Sequence, residues 1–487
     1  MILSKINILS KKALLIIFLF LFALIIRAYN INYDNLWFDE ILSFWITEPK
    51  ITLKESFLRH TKIEQIPYLY HFILKINFSI FFYDSYFGRF LSLIFNILGI
   101  IFSVKLVKKI NNNNNSHLLA LFLFASNIFL IGYAQEMRPY SMIFFFSSIN
   151  LYFFYLLDTK KSFQKFNLKY FFISSILQIL LIISHPFCLI IFFSLIFYLL
   201  LKFFKKEPIS KTLFFSTLFV SFFSIFYLSY TFLTLKSFPT WIVQPDLKFF
   251  TNFYFSKFFG SRFMGLVHLV ILLTLILLFF LKKSKNKNNF LFLYVIIIFL
   301  SYLLPIIYGF IFRPIIFPRY IIFVLIPIIS LISILVFEIK KKFIKNSIIS
   351  LLVILNFGNH FAESTFKQFF NKRNFHKPNF EIMSKIITSS KTKNYFINMN
   401  MNTKNENEAY MAILNYINEI NKDKINKPIH ITKENFQNLN YNETWVICLP
   451  NIVIDKCKKN KIIFKTNFIV EEYAPGINMI LINNENK

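Results

Sequence analysis

Long apolar runs alternate with clusters of lysine along most of this chain, and that alternation constrains its fold more than any other feature. The clusters are Lys11/Lys12, Lys105/Lys108/Lys109, Lys160/Lys161/Lys165/Lys169, Lys202/Lys205/Lys206, Lys282/Lys283/Lys285/Lys287 and Lys340/Lys341/Lys342/Lys345. A helix that crosses hydrocarbon needs about 17–25 apolar residues. Runs of that order lie near 13–29, 88–107, 117–134, 139–157, 169–184, 186–204, 212–235, 263–281, 290–310, 320–338 and 344–360. Two runs, or one at the N-terminus, separate each cluster from the next, so every second turn is basic. Short basic loops stay on the cytoplasmic side. The expected topology is therefore eleven membrane spans, with the N-terminus cytoplasmic and the C-terminus extracytoplasmic. It places Asp39-Glu40, Gln135-Glu136-Met137-Arg138, His185 and Arg319-Tyr320 together on the outer face.

Composition agrees with a polytopic protein embedded in the lipid bilayer: 56% of residues are hydrophobic and 20% aromatic, against about 45–50% apolar in a soluble domain. The net charge of +30 invites a nucleic-acid partner, and the placement of the lysines argues against one. Much of the lysine flanks apolar runs, where it sets topology. The abundance of Ile, Phe, Asn and Lys, with an Asn run over 111–115, also has the look of AT-rich coding. No A-x-A-like cleavage site follows the first run, so it is read as an uncleaved span. Of three cysteines, Cys188 lies in an apolar run. Cys448 and Cys457 lie in the polar C-terminal part, where an extracytoplasmic location leaves a disulfide open.

Residues 66–83 are apolar enough to tempt a spanning assignment, but they carry His71, Lys75 and Asn77. If this segment crossed, every later lysine cluster would move outside. It is read instead as a helix lying in the outer interface. A first outer loop, 30–87, then holds a short helix near 40–60 and this second one. Another outer loop spans 236–262, with Trp241, Pro245, Asp246, Lys257 and Arg262. From 361 the composition shifts to Asn, Lys and Glu, with strand-like segments at Tyr395–Asn398, Pro428–Thr432, Thr444–Leu449, Lys461–Lys465 and Met479–Ile482 and a helical pattern over Glu406–Ile420. The expected architecture is an all-α transmembrane domain, 1–360, followed by a small extracytoplasmic α/β domain, 361–487.

The chemistry-bearing residues sit at span ends. In Trp37-Phe38-Asp39-Glu40 the aromatics suit the headgroup layer. Two adjacent carboxylates at that depth are desolvated on one side, which suits one of them to act as a base. Asp39 falls near a helix start, where an anion is favoured; an ordinary acidic helix start reads the same way. Arg138 cannot lose its proton, so it either pairs with Glu136, binds a phosphate, or snorkels to the interface. Pro139 is placed to start the next helix. His185-Pro186 forms an outer turn in an apolar region, where a histidine is more often structural than catalytic. Arg319-Tyr320 offers a phosphate monoester one fixed charge and one hydroxyl donor.

On these motifs the chain resembles the integral-membrane glycosyltransferases of the C-type fold, in particular the bacterial relatives of the protein O-mannosyltransferases and the lipid A aminoarabinose transferases. The resemblance covers roughly residues 10–340. It rests on Asp39-Glu40, then Glu64-Gln65-Ile66-Pro67-Tyr68-Leu69-Tyr70, then Gly88-Arg89-Phe90-Leu91-Ser92 at the start of the second span. Gln135-Glu136-Met137-Arg138-Pro139-Tyr140-Ser141 and Arg319-Tyr320 complete it. The resemblance implies transfer of a sugar from a polyprenyl-phosphate carrier on the extracytoplasmic side, with inversion at the anomeric carbon. It implies Asp39 as base for the acceptor hydroxyl and Glu40 as an orienting group. It implies Arg138 and Arg319 as holders of the carrier phosphate, with Tyr320 assisting. Many relatives have a double proline where this chain has Ile66-Pro67, and some have a phosphate-binding lysine where Gln65 stands. Lys62, Tyr68 or His71 is a candidate substitute for that contact.

The layout also fits the chemistry alone. A lipid-phosphate sugar keeps its tail in the bilayer and its reacting bond at the interface. Inverting transfer needs a base on the acceptor and charge stabilisation of the departing phosphate. Two arginines can supply the latter, so no cofactor is required; no DxD-type motif is apparent, and a divalent metal stays open. The acceptor stays open between lipid A, polysaccharide and protein hydroxyls. Two other classes compete. A ligase or polymerase using a polyprenyl-diphosphate glycan would also want outer arginines, and a transporter or flippase would place charges near the bilayer midplane.

Overall fold

The computed structural model describes residues 2–32, 35–111, 115–159, 165–236, 242–281, 289–361, 379–399, 406–424, 427–432, 443–449, 467–474 and 477–483. Helix α1 (Ile2–Ala28) is followed by three shorter helices, α2 (Phe38–Ile46), α3 (Leu53–Ile63) and α4 (Leu69–Ile80). Next come α5 (Ser85–Ile110), the pair α6 (Ser116–Ser126) and α7 (Ile128–Ala134), α8 (Tyr140–Thr159), α9 (Leu168–Ile182), α10 (Cys188–Phe204) and α11 (Lys211–Lys236). Two short helices, α12 (Leu247–Asn252) and α13 (Phe255–Phe258), precede α14 (Arg262–Leu281) and α15 (Asn289–Ile311). A 3-10 turn, Pro318–Val324, runs into α16 (Leu325–Phe337), and α17 (Lys342–Asn359) closes the helical series. Helix underlies each of the eleven expected spans. By length and composition, six helices are able to cross a membrane, or seven if α6 and α7 are one bent span, among the described residues. Helices α9 and α10 are shorter, at 15 and 17 residues.

The segment 66–83 contains only the 12-residue α4, about 18 Å at 1.5 Å per residue, too short to cross. The helix expected near 40–60 is two helices, because the chain breaks after Ile46 and restarts at Thr52, whose hydroxyl accepts the Glu55 amide at 3.1 Å. Lys75 bridges the break by donating to the carbonyls of Glu48 (2.7 Å) and Ile51 (2.9 Å).

The chain divides into two compact units that are not contiguous in sequence. The first is Met1–Ile31, Gln65–Tyr70 and Arg89–Phe369; the second is Asn32–Glu64, His71–Gly88 and Phe370–Lys487. A linear split at residue 361 would have left the first loop with the spans.

In the first unit the organising feature is the break between α6 and α7, a bend of 56°. Breaking a helix orphans carbonyls, and in hydrocarbon each unsatisfied group costs several kcal/mol. Arg27, fully buried, satisfies them. Its Nη2 donates to Phe124 O (2.9 Å), its Nη1 to Ala125 O (2.8 Å) and Ala23 O (3.1 Å), and its Nε to Asn96 Oδ1 (2.8 Å). His360 Nε2 donates to Ser126 O at 2.9 Å. Asn127 caps α7 through the Leu130 amide and donates to Phe258 O, both at 3.0 Å. Asn96 continues the network to Leu130 O (3.0 Å) and Ser141 Oγ (3.2 Å). Gln135 Nε2 reaches the carbonyls of Arg27 and Tyr29, each at 3.0 Å.

At the other end of α8 Lys202 of α10 is buried rather than solvated. Its Nζ lies 2.6 Å from Asp158, which also accepts the Tyr198 hydroxyl at 2.9 Å. This lysine of the cluster therefore joins α8 to α10 as well as flanking an apolar run.

Helix α13 lies on α14 at Gly265, where a Cβ would sit 2.4 Å from Ser256 N and 2.6 Å from Phe255 C. Both are backbone atoms, so the strain has no side chain to absorb it. Gly265→Ala is expected to destabilise the protein by about 1–3 kcal/mol, read as a lower midpoint of thermal unfolding in detergent.

The second unit contains a five-stranded sheet in the order β2-β1-β3-β5-β4. Its strands are β1 (Asn394–Met399), β2 (Ile429–His430), β3 (Glu443–Leu449), β4 (Asn467–Ala474) and β5 (Ile477–Asn483). β1 is parallel to β2 and β3; β5 is antiparallel to β3 and β4. Helices α18 (Phe380–Ser389) and α19 (Glu406–Ile420) complete it. The strand expected at 461–465 lies outside the described residues, and β4 follows it. Cys448 is disulfide-bonded and Cys188 is free; Cys457 lies outside the described residues.

The first loop is built into this unit. Phe44 of α2 meets Tyr416 of α19 edge to face at 6.1 Å. The Leu36 amide donates to the Tyr416 hydroxyl (3.4 Å), Asn35 Nδ2 to Asn379 Oδ1 (2.5 Å), and Lys62 pairs with Glu408 (3.4 Å). Sequence reading foresaw the helix at 406–420 but not what it packs against.

Candidate active site

In the first unit, turns separated by up to about 180 residues of sequence converge at one end of the helices. Arg319, largely buried, stands at the start of the 3-10 turn. Its guanidinium lies 5.4 Å from the ring centre of Tyr140, 5.2 Å from Phe317 and 5.6 Å from Tyr320. Such an aromatic surround holds a guanidinium that stays charged. The Tyr320 ring is 5.1 Å from His185, 5.5 Å from Phe187 and 6.3 Å from Tyr140. The α9–α10 turn, the first residue of α8 and the 3-10 turn thus meet in one polar-aromatic cluster.

His185 is buried, and its Nδ1 accepts the Phe187 amide at 3.2 Å. In the neutral ring that bond leaves the proton on Nε2. Glu136 and Arg138 occupy the tight turn before α8, where the Arg138 amide donates to Glu136 O at 2.8 Å. Pro139 begins the helix as expected, its carbonyl accepting the Ile143 amide at 2.9 Å. Tyr140, two residues beyond Arg138, carries this turn to Arg319. The Arg138 carbonyl is 3.5 Å from Ser92 Oγ, which is 3.4 Å from the Tyr70 hydroxyl. Tyr70, fully buried, is therefore the tyrosine of the Glu64–Tyr70 motif that packs towards Arg138, while Tyr68 is half-buried.

In the second unit Asp39 and Glu40 lie in the first turn of α2. Glu40 is buried, and its carboxylate accepts the Trp37 amide at 3.4 Å, a helix-capping role. Asp39 is half-buried at the helix N-terminus, where the dipole favours its anion. Ser43 Oγ donates to Asp39 O (3.2 Å) and meets His71 Nε2 (3.2 Å), and His71 packs on His60 at 4.9 Å. The histidine expected as a stand-in for a carrier contact is fully buried against α2.

Sequence reasoning named Arg319, Tyr320 and His185 and missed Tyr140 as a neighbour of Arg319 and Tyr320. It also missed Arg27, although an arginine at the end of an apolar run is itself a signal. Among the described residues no three His, Cys, Asp or Glu side chains converge as a metal site.

Two solved structures of ArnT from Cupriavidus metallidurans superpose on nearly the whole chain. One was determined bound to undecaprenyl phosphate (TM-score 0.57) and one in the apo state (TM-score 0.59), each covering 98% of both chains at 9% identity. This is the C-type glycosyltransferase fold. At 9% identity the likeness is one of backbone path, so the C-type fold of this chain is built largely from its own side chains. No family model matches the sequence, and no curated protein matches it.

Proposed function

We propose that the protein is an inverting glycosyltransferase that moves a sugar from a polyprenyl-phosphate carrier to a hydroxyl of a lipid, glycan or protein on the extracytoplasmic face of a bacterial inner membrane. The observation that carries this reading is the convergence of Arg319, Tyr320, Tyr140 and His185 at one end of the helical unit. A charge held among aromatic rings at a span end suits a phosphate whose lipid tail remains in the bilayer. The likeness to a protein solved with undecaprenyl phosphate points to the same carrier class.

In the proposed step the acceptor oxygen attacks the anomeric carbon and passes its proton to the Asp39 carboxylate. The bond from that carbon to the phosphate oxygen breaks, and the electron pair leaves with the lipid phosphate. Arg319 and Arg138 stabilise the charge that develops there, and the Tyr320 hydroxyl donates to it. Glu40 holds the start of α2, which fixes the neighbouring Asp39. Glu136, His185 and Tyr68 line the donor side. The aromatic cluster lies at a helical-unit end rather than at mid-helix, which favours transfer over transport.

The test is transfer from polyprenyl-phosphate sugars in purified membranes. Arg138→Ala is expected to raise the apparent KM for the lipid donor about 10-fold or more, as removal of a charged hydrogen bond would. Unchanged donor dependence would remove Arg138 from the phosphate site.

A further inference from the structure

Between α12 and α13 the backbone takes two successive left-handed residues, Phe253 (φ 46°, ψ 45°) and Tyr254 (φ 63°, ψ 5°). Residues with a Cβ rarely hold that conformation, bulky aromatics least of all. It persists only where the surroundings impose it, and here they do. The Tyr302 hydroxyl donates to Phe253 O at 2.8 Å, the Phe253 amide donates to Phe249 O at 2.7 Å, and the Phe249 ring lies 4.7 Å from that of Tyr254. Asp246 caps α12 through the Phe249 amide at 2.8 Å, and Gly265 admits the α13 backbone at close range.

The strained turn aims the Tyr254 hydroxyl at Ile316 O, 3.1 Å away. Ile316 is buried and belongs to the irregular stretch 313–317 that leads into the Arg319 turn. The same loop also holds the helix end before that stretch, where Gln244 Nε2 donates to Gly309 O in the last turn of α15 at 2.7 Å.

We propose that Tyr254 is a positioning residue for Arg319: by holding the Ile316 carbonyl it sets where the guanidinium meets the carrier phosphate. This rests on the reading of Arg319 as a phosphate contact. Burial, and then the Asp246 carboxylate, push the Tyr254 phenol up to about 12, so it remains a donor across the physiological range.

The test is binding of undecaprenyl phosphate to the purified full-length protein in nanodiscs, comparing Tyr254→Phe, Arg319→Lys and the double variant. Tyr254→Phe is expected to weaken binding about 10-fold, the scale of one lost hydrogen bond, with the unfolding midpoint nearly unchanged. The double variant is expected to bind no more weakly than Arg319→Lys alone, since the phenol acts only through the arginine. If Arg319→Lys weakens binding and Tyr254→Phe does not, or if the two losses multiply, the positioning role is overturned while the phosphate reading stands. If Arg319→Lys binds normally, the phosphate reading fails and takes the positioning role with it. Should Tyr254→Phe fail to fold, the same cycle with Tyr302→Phe, which frees the Phe253 carbonyl, decides between the same outcomes.

Discussion

Asp39→Asn is expected to cut sugar transfer by about 10²–10⁴-fold, the scale of a lost general base, while the protein still inserts and purifies as a single species. The substitution keeps the size and the helix-start position of the side chain and removes only its ability to take a proton. Glu40 cannot readily replace it, because its carboxylate is buried and engaged by the Trp37 amide. Donor binding should survive, since the proposed phosphate contacts all lie in the other unit. The measurement is single-turnover transfer from a lipid-linked sugar in membranes, alongside undecaprenyl phosphate binding. Full transfer by the variant would take Asp39 out of the mechanism. Loss of transfer together with loss of folding would make it a structural residue.

Arg27→Leu is expected to be the most destabilising single change in the helical unit. It preserves apolar bulk but strips four hydrogen bonds, orphaning Phe124 O, Ala125 O and Asn96 Oδ1 where α6 and α7 break. Each buried polar group left without a partner costs about 1–3 kcal/mol, so the total should be about 3 kcal/mol or more. The readout is the unfolding midpoint in detergent. Adding Asn96→Leu should cost less than the sum of the two single changes, because both act on one network. A midpoint near that of the unchanged protein would mean that the broken helix is held by something other than this arginine.

The helices of the apolar runs were legible because hydrocarbon thickness and the lysine bias act on sequence directly, residue by residue. The lysine clusters gave the turn pattern, and the contacts among His185, Tyr140, Arg319 and Tyr320 place those turns at one end, as expected. The break at Asn127 was not legible. Its cause is a partner about 100 residues away, Arg27, and periodicity carries no information about such pairs. The role of Tyr254 was equally hidden, since its left-handed backbone is imposed by Tyr302 and Gly265 and not by any local turn residue. The strand-like segments near 395, 444 and 479 read correctly from their β-branched and aromatic runs. The assembly of α2 with α19 did not, because an amphipathic helix announces that it has a face to bury and not where that face goes.

That assembly has a consequence for biosynthesis. Helix α2, bearing Asp39, emerges from the ribosome among the first fifty residues, yet the Tyr416 side chain that Phe44 packs on arrives only after every span has been made. The early segment must therefore wait, incompletely folded, through insertion of the whole bundle. A stop codon between Asn359 and Glu406 would spare all the helices of the membrane series and still leave the proposed base without its footing.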